Sequence, residues 1–276
     1  MSLVILDFDG TFTDVERESA PFLEAFVADV VDLLGDEDQS RWDRLHAEAM
    51  ANRGKHGWRH HGVITAPAGA DPYLTASCVA QLMFDDAGIL KDEETRSAIL
   101  QALYQKNYAL SASAPRPEAV HVMQTLLASE HDVVVVTNSH TQTVKDKIAG
   151  LSIPGAERLE VIGDAKKFVI DDAPRGEPFD SLEDLALPGL DERKVAIKRG
   201  HYFDVLKRLW AERGQSAETT LICGDIFELD LALPLALGCR GHLVRSSMTP
   251  PYEVTYLEAH PLATVSDTLA GVLEQV

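Results

Sequence analysis

A chain of 276 residues with 45% hydrophobic and 25% charged side chains is neither a mini-protein nor a disordered or fibrous chain, and it can hold one large core with an inserted module. Its 44 acidic residues against 25 Lys and Arg give a formal net charge of −19, which repels a nucleic-acid backbone or an anionic lipid surface and so excludes both as expected partners. No apolar run is long enough to cross a bilayer, and the N-terminal segment Met1-Ser2-Leu3-Val4-Ile5-Leu6-Asp7 does not read as a signal peptide. Cys78, Cys223 and Cys239 have no metal-site spacing and sit in apolar surroundings, so they read as reduced core thiols of a cytoplasmic protein.

In chain order, a short apolar run at 3–6 predicts a first strand. Helical spacing follows at 21–34, where Phe22, Phe26, Val30 and Leu33 share a face that stops at Gly35, and then at 40–50, 74–87 and 93–107. Beyond about residue 112 the pattern alternates. A helix at 117–128 and strands at 133–136, 159–162, 168–170 and 195–197 are followed by a helix at 202–212, strands at 219–223 and 242–244, and a last helix at 267–274. Several of these strands are apolar on consecutive residues, the mark of a parallel sheet covered on both faces. A doubly wound sheet alternates strand and helix from its start, whereas here about a hundred residues without strand signal follow the first strand. The expected fold is therefore α/β: a Rossmann-like doubly wound parallel core of residues 1–14 and 112–276, with a mainly helical cap inserted at 15–111. The stretch 172–193 is too long for an ordinary connection and reads as a surface loop or lid element.

Three predicted strands end in polar residues. The first runs into Asp7-Phe8-Asp9-Gly10-Thr11, the strand at 133–136 into Thr137-Asn138-Ser139, and the strand at 219–223 into Gly224-Asp225, with Asp230 following. Carboxyl ends of parallel strands share one sheet edge, where ligands bind, so these residues are expected to meet. Asp7, Asp9, Asp225 and Asp230 together would repel one another unless a hard cation such as Mg²⁺ relieved the charge. A carboxylate beside such an ion can attack phosphorus, and a second can give and take protons, which suits Asp7 and Asp9 two residues apart on one side of the strand. Gly10 permits a sharp exit and close approach of backbone N–H groups to an anion. The Thr137 hydroxyl and the Asn138 backbone N–H supply donors for phosphoryl oxygens, and Lys198, with Lys194 and Arg199 as competitors, supplies a cation.

This set resembles the haloacid dehalogenase superfamily, specifically its Mg²⁺-dependent phosphatases with a C1-type helical cap. Asp7-Phe8-Asp9-Gly10-Thr11 is similar to the family's first motif, Thr137 to the second, Lys198 to the third, and Gly224-Asp225-Ile226-Phe227-Glu228-Leu229-Asp230 to the fourth. An Asp-x-Asp-Gly-Thr string arises by chance at about one site in 10⁵, given average residue usage. The proline that commonly follows the third-motif lysine is missing from Lys198-Arg199-Gly200-His201. The resemblance covers the core segments. It implies an Mg²⁺-dependent phosphohydrolase acting on a small phosphorylated metabolite through an aspartyl-phosphate. In it Asp7 is the nucleophile and Asp9 the acid/base; Asp7, Asp9 (through its carbonyl), Asp225 and Asp230 hold the metal; and Gly10, Thr137, Asn138 and Lys198 hold the phosphoryl group.

A haloacid dehalogenase or a phosphonate hydrolase on this scaffold lacks the second aspartate, so Asp9 argues against both. A sugar-phosphate mutase retains it. A phosphorylatable receiver-like switch would also gather acids, a hydroxyl and a lysine, but the length, the insert and the Asp7–Asp9 spacing disfavour it. The run at 53–62, Arg-Gly-Lys-His-Gly-Trp-Arg-His-His-Gly, is the one basic, aromatic stretch and reads either as a cap loop that recognises substrate or as an exposed connection. Asp14 falls at the hand-over to the cap, Asp171-Asp172 reads as a turn, and Asp230 also suits a helix cap before 231–237. Substrate identity and oligomeric state lie outside these motifs.

Overall fold

The computed structural model describes residues 2–276, so Met1 of the N-terminal segment lies outside the described residues. Strand β1 (Leu3–Leu6) is fully buried and leads into a chain reversal at Asp7–Thr13. Helix α1 (Val15–Leu34) starts at Asp14, whose carboxylate accepts from the Arg17 N–H at 3.2 Å, and ends at Gly35 in the left-handed region. It begins six residues before the sequence expectation. The Asp14 cap and the acidic first turn (Glu16, Glu18) initiate it, and Pro21 is accommodated inside at the loss of one backbone bond. Helices α2 (Ser40–Ala51), α3 (Pro72–Ala87) and α4 (Glu93–Tyr108) complete a bundle with its own core of Phe22, Phe26, Trp42, Val79, Phe84 and their neighbours.

This part of the chain is not wholly helical. Strands β2 (Gly57–His60) and β3 (Val63–Pro67) form an antiparallel hairpin whose first strand and turn lie in the basic, aromatic run. Its two-residue turn is His61-Gly62, both at positive φ, the geometry that matches the twist of paired strands. A His-Gly turn carries a weaker hairpin signal than Asn-Gly, so this hairpin is not among the expected elements.

The chain returns beside its exit point. Thr13 pairs with Pro115, and the Asp14 N–H donates to the Ala114 carbonyl at 2.7 Å. Then come α5 (Ala119–Ala128), β4 (Asp132–Val136), α6 (Thr141–Gly150), β5 (Glu160–Ile162), α7 (Gly200–Arg213), β6 (Thr220–Gly224), α8 (Ala232–Ala236), β7 (Arg240–Val244), α9 (Pro251–Ala259) and β8 (Ala263–Ser266). Six strands form one parallel sheet in the order β5-β4-β1-β6-β7-β8, so the fold is a doubly wound, Rossmann-like α/β sheet with β1 at its centre. Alternation along β1 sends Leu3 and Ile5 to the face covered by Tyr202, Phe203, Leu206 and Leu257, and Val4 and Leu6 to the face covered by Val122, Leu126, Val144 and Ile148.

Four expectations are corrected. Residues 168–170 and 195–197 are not strands. They belong to an extended irregular segment between β5 and α7 that touches itself through Leu185–Val195 and Asp171–Arg199 bridges. The helix expected at 231–237 opens with one π-helical turn, Phe227–Leu231, and the one at 267–274 is a 3₁₀ run, Leu269–Glu274. Helices α6 and α9 and strand β8 add to the expected elements: Thr141–Gly150 carries only Val144, Ile148 and Ala149 as apolar residues, and Ala263–Ser266 is too short for a clear pattern.

His242 on β7 is 1% exposed and bonded through its two ring nitrogens to the hydroxyls of Thr264 (2.7 Å) and Ser266 (2.8 Å) on β8. Burial pushes its pKa down to about 4, whereas the unfolded chain takes up a proton near 6.5. The unfolded state therefore binds more protons between these values, and stability falls as pH drops from about 6.5 towards 4, by on the order of 3 kcal/mol for this group. Urea unfolding at pH 7.5 and pH 5 is expected to show a larger loss for the wild type than for His242→Gln; equal losses would contradict this.

Candidate active site

β1, β4 and β6 lie side by side, so the residues after Leu6, Val136 and Cys223 emerge at one edge. The register is held directly, the Asp7 N–H donating to the Cys223 carbonyl at 2.8 Å. Asp7, Asp225 and Asp230 each place a carboxylate oxygen within 4.8 Å of the others, all three buried. The sequence expectation that these three meet holds in the structure. The Asp9 carboxyl is not part of that group; it turns to Lys147 at 2.9 Å.

Gly10 sits at φ +82°, and a Cβ there would lie 2.1 Å from the Asp225 carboxylate. Its N–H is taken by the Thr13 hydroxyl (3.0 Å) and its carbonyl accepts from the Arg116 guanidinium (2.7 Å). Gly10 therefore makes room for Asp225, and, contrary to the sequence expectation, its N–H is engaged by Thr13 and not turned to an anion. The Thr11 hydroxyl lies between Asp7 and Asp225, at 3.4 and 3.3 Å.

The cation is Lys167 and not Lys198. Lys198 is half-exposed and donates to the Asp180 carbonyl in the irregular segment, while Lys194 is exposed. Lys167 is 1% exposed, and its ammonium bridges Asp7 (2.7 Å) and Asp230 (2.8 Å). It follows β5, whose end lies beside the end of β4. The Asn138 side chain accepts from the Lys167 N–H at 2.7 Å, and buried Arg199 donates to the Lys167 carbonyl at 2.8 Å. Arg199 thus braces the lysine's backbone, and its other terminal nitrogen donates to the Thr65 carbonyl of β3 (2.9 Å). The apolar triplet Phe168-Val169-Ile170 masked Lys167 by imitating a strand; a lysine just past the third parallel strand was the usable signal.

Asp230 is fully engaged: one oxygen takes Lys167 and the other accepts from the Ile226 N–H at 3.0 Å. The Thr137 hydroxyl accepts from the Ser139 N–H at 3.1 Å, which leaves its own proton to donate. Burial pushes Asp7 up to about 8 against the pull of Lys167, and burial with the Asp7 and Asp230 charges pushes Asp225 well above the carboxylate range. If all three were ionised they would face a single ammonium, leaving two negative charges uncompensated in a buried place, and the upward shifts of Asp7 and Asp225 report that cost. Hard oxygen donors with that surplus fit a divalent cation such as Mg²⁺.

The hairpin side of the insert closes over this edge. Ala66, Ala70 and Leu74 pack on Ile226 and Leu229 beside Asp225, and Trp58 and His60 each place a ring 5.0 Å from Phe168, the residue after Lys167. Asp71 caps α3 by accepting from the Leu74 N–H at 2.6 Å, and burial with the nearby Asp9 and Asp230 charges pushes it up to about 7.

An acidic crevice at the carboxyl edge of a doubly wound sheet, covered by an insert after the first strand, defines the class. The family profile described as haloacid dehalogenase-like hydrolase matches residues 1–232, and the chain belongs to that family. No curated protein matches the sequence. Among solved structures, a predicted phosphoglycolate phosphatase from Haemophilus somnus is 14% identical with a TM-score of 0.55, the match covering 100% of this chain and 97% of that one. A β-phosphoglucomutase-like structure from Thermotoga maritima is 15% identical with a TM-score of 0.53 over 100% of both chains. A HAD-hydrolase from Bacillus subtilis, bound to magnesium and showing interdomain movement, is 14% identical with a TM-score of 0.52, covering 99% and 97%. These likenesses show the fold.

Lys167→Met leaves buried carboxylates without their cation. In chemical denaturation without added metal at pH 8 it is expected to lose about 3 kcal/mol or more, whereas Lys198→Met is expected to change stability by less than about 0.5 kcal/mol. Equal effects would contradict the placement of the cation.

Proposed function

We propose that this hydrolase is an Mg²⁺-dependent phosphomonoester phosphatase acting on a small phosphorylated metabolite. The observation that carries the reading is the buried Asp7–Asp225–Asp230 group with Lys167 bridging two of its members. Asp7 and Asp225 keep oxygens that no cation occupies and would hold the metal, with the Asp9 carbonyl as a further donor. Asp230 acts mainly as the anchor of Lys167 and of the loop. When bound, Mg²⁺ supplies the charge that lets ionised Asp7 approach an anionic phosphoryl group.

The chain's own residues then account for the reaction. An Asp7 carboxylate oxygen attacks phosphorus in line as the bond to the leaving oxygen breaks, and Asp9 gives that oxygen a proton. The product is an alcohol and a phosphorylated Asp7. Asp9 next takes a proton from water, whose oxygen attacks phosphorus, and the bond to Asp7 breaks to release inorganic phosphate. The Thr137 hydroxyl, the Asn138 backbone N–H and the Lys167 ammonium meet the phosphoryl oxygens. Residues 15–111 form the cap and residues 1–14 with 112–276 the core. The cap hairpin, with Trp58 and His60 against Phe168, excludes water and contacts the leaving group. Asp9 favours phosphate-ester hydrolysis over dehalogenation, which does without an acid at that place.

Release of inorganic phosphate from p-nitrophenyl phosphate tests the reading. Activity is expected with Mg²⁺, loss of it with a chelator and recovery on adding Mg²⁺ back, and a fall of ~10³-fold or more in Asp7→Asn, which has no carboxylate to esterify. Turnover that persists in Asp7→Asn or ignores chelation would overturn it.

A further inference from the structure

Asp9 is anchored by residues that the reaction as described does not use. The Lys147 ammonium, on core helix α6, lies 2.9 Å from Asp9 Oδ1 and 2.5 Å from Glu18 Oε1, and it stands 5.9 Å from the centre of the Phe8 ring. Glu18 is 1% exposed and sits in the first turn of α1, the helix with which the insert begins. Its backbone carbonyl also accepts from the Ala112 N–H at 3.2 Å, where the chain comes back. α6 is fixed to the sheet through Val144 and Ile148. One lysine on the core thus links a carboxyl of the crevice to a carboxyl of the insert's leading helix. Burial pushes Glu18 upward in spite of Lys147, so this is a costly group to place there for packing alone.

We infer that Lys147 and Glu18 are positioning residues for leaving-group protonation, holding one oxygen of Asp9 in place and tying its orientation to the first turn of the cap. The inference rests on the reading of Asp9 as acid/base. The ammonium also answers Glu18 and meets Asp9 at Oδ1, and among the described residues Oδ2 has no hydrogen-bond partner. That oxygen is available to carry the proton. Glu18 belongs to the first turn of the insert's leading helix, close after the linker pairing of Thr13 with Pro115. The orientation of the acid and the placement of that first turn thus share one lysine.

A proton-poor transition state separates this role from mere structural support. p-Nitrophenolate leaves with little help from an acid, whereas phenolate needs more, and kcat/KM covers the steps through loss of the leaving group. In Lys147→Met, kcat/KM is expected to fall about tenfold further with phenyl phosphate than with p-nitrophenyl phosphate, both with Mg²⁺. Glu18→Gln is expected to show a smaller bias in the same direction, and Lys147→Arg to restore most of the loss. Lys145→Ala, exposed on the same helix, is expected to leave both values as in the wild type. Asp9→Asn is the reference and is expected to show the strongest bias. Equal losses on both esters in Lys147→Met, with the bias present in Asp9→Asn, would overturn the inference and leave the phosphatase reading standing. No bias in Asp9→Asn would remove the acid role itself and the inference with it. Should Lys147→Met not fold, Glu18→Gln decides on the same criterion.

Discussion

The Lys167 ammonium between Asp7 and Asp230 is the interaction on which the rest of the molecule depends. A parallel sheet brings the ends of β1 and β6 together whether or not their carboxylates tolerate one another, and in a buried crevice they do not. The lysine offsets part of that cost, and much of the surrounding structure serves to hold it. The Asn138 side chain fixes its N–H, Arg199 its carbonyl and Asp230 its head. One positive charge cannot balance three ionised carboxylates, so ionising Asp7 and Asp225 together calls for a further cation.

The cap is joined to the same arrangement at two levels. Arg199 spans from the Lys167 carbonyl to the Thr65 carbonyl of the hairpin, so the brace of the lysine is also a cap contact. Lys147 spans from Asp9 to Glu18 in the first cap helix. Apolar contact of Ala66 and Ala70 with Ile226 and Leu229 fills the space between. Cap and core thus meet through buried polar bridges set in a small apolar seam, a contact sensitive to geometry rather than to area.

Much of the core was legible in the sequence for a definite reason. β1, β4 and β6 are covered on both faces, and continuous apolar runs that stop at Asp7, Thr137 and Gly224 leave few other readings. The order of strands and helices placed the insertion. What escaped was governed by tertiary context. Lys167 is fixed by its neighbours across the sheet edge, and the following Phe168-Val169-Ile170 imitates a strand, so local pattern points to Lys198, about thirty residues further on. Phe168 is apolar because it packs under Trp58 and His60. The hairpin turns on His61-Gly62, and β8 is short with half-buried residues throughout, so neither carries a strong local pattern. Lys147 and Glu18 stand on ordinary helical sequence, where a charged residue reads as a solvated face until the fold buries it.

A crystal structure of the protein grown with Mg²⁺ and beryllium fluoride, which mimics a phosphoryl group bonded to a carboxylate, probes the Asp7–Asp225–Lys167 arrangement most directly. The fluoride complex is predicted on an Asp7 oxygen, with the metal held by Asp7 and Asp225 and the Lys167 ammonium still on Asp230. A metal bound away from these aspartates, or a complex approached by Lys198 while Lys167 stands apart, would contradict it.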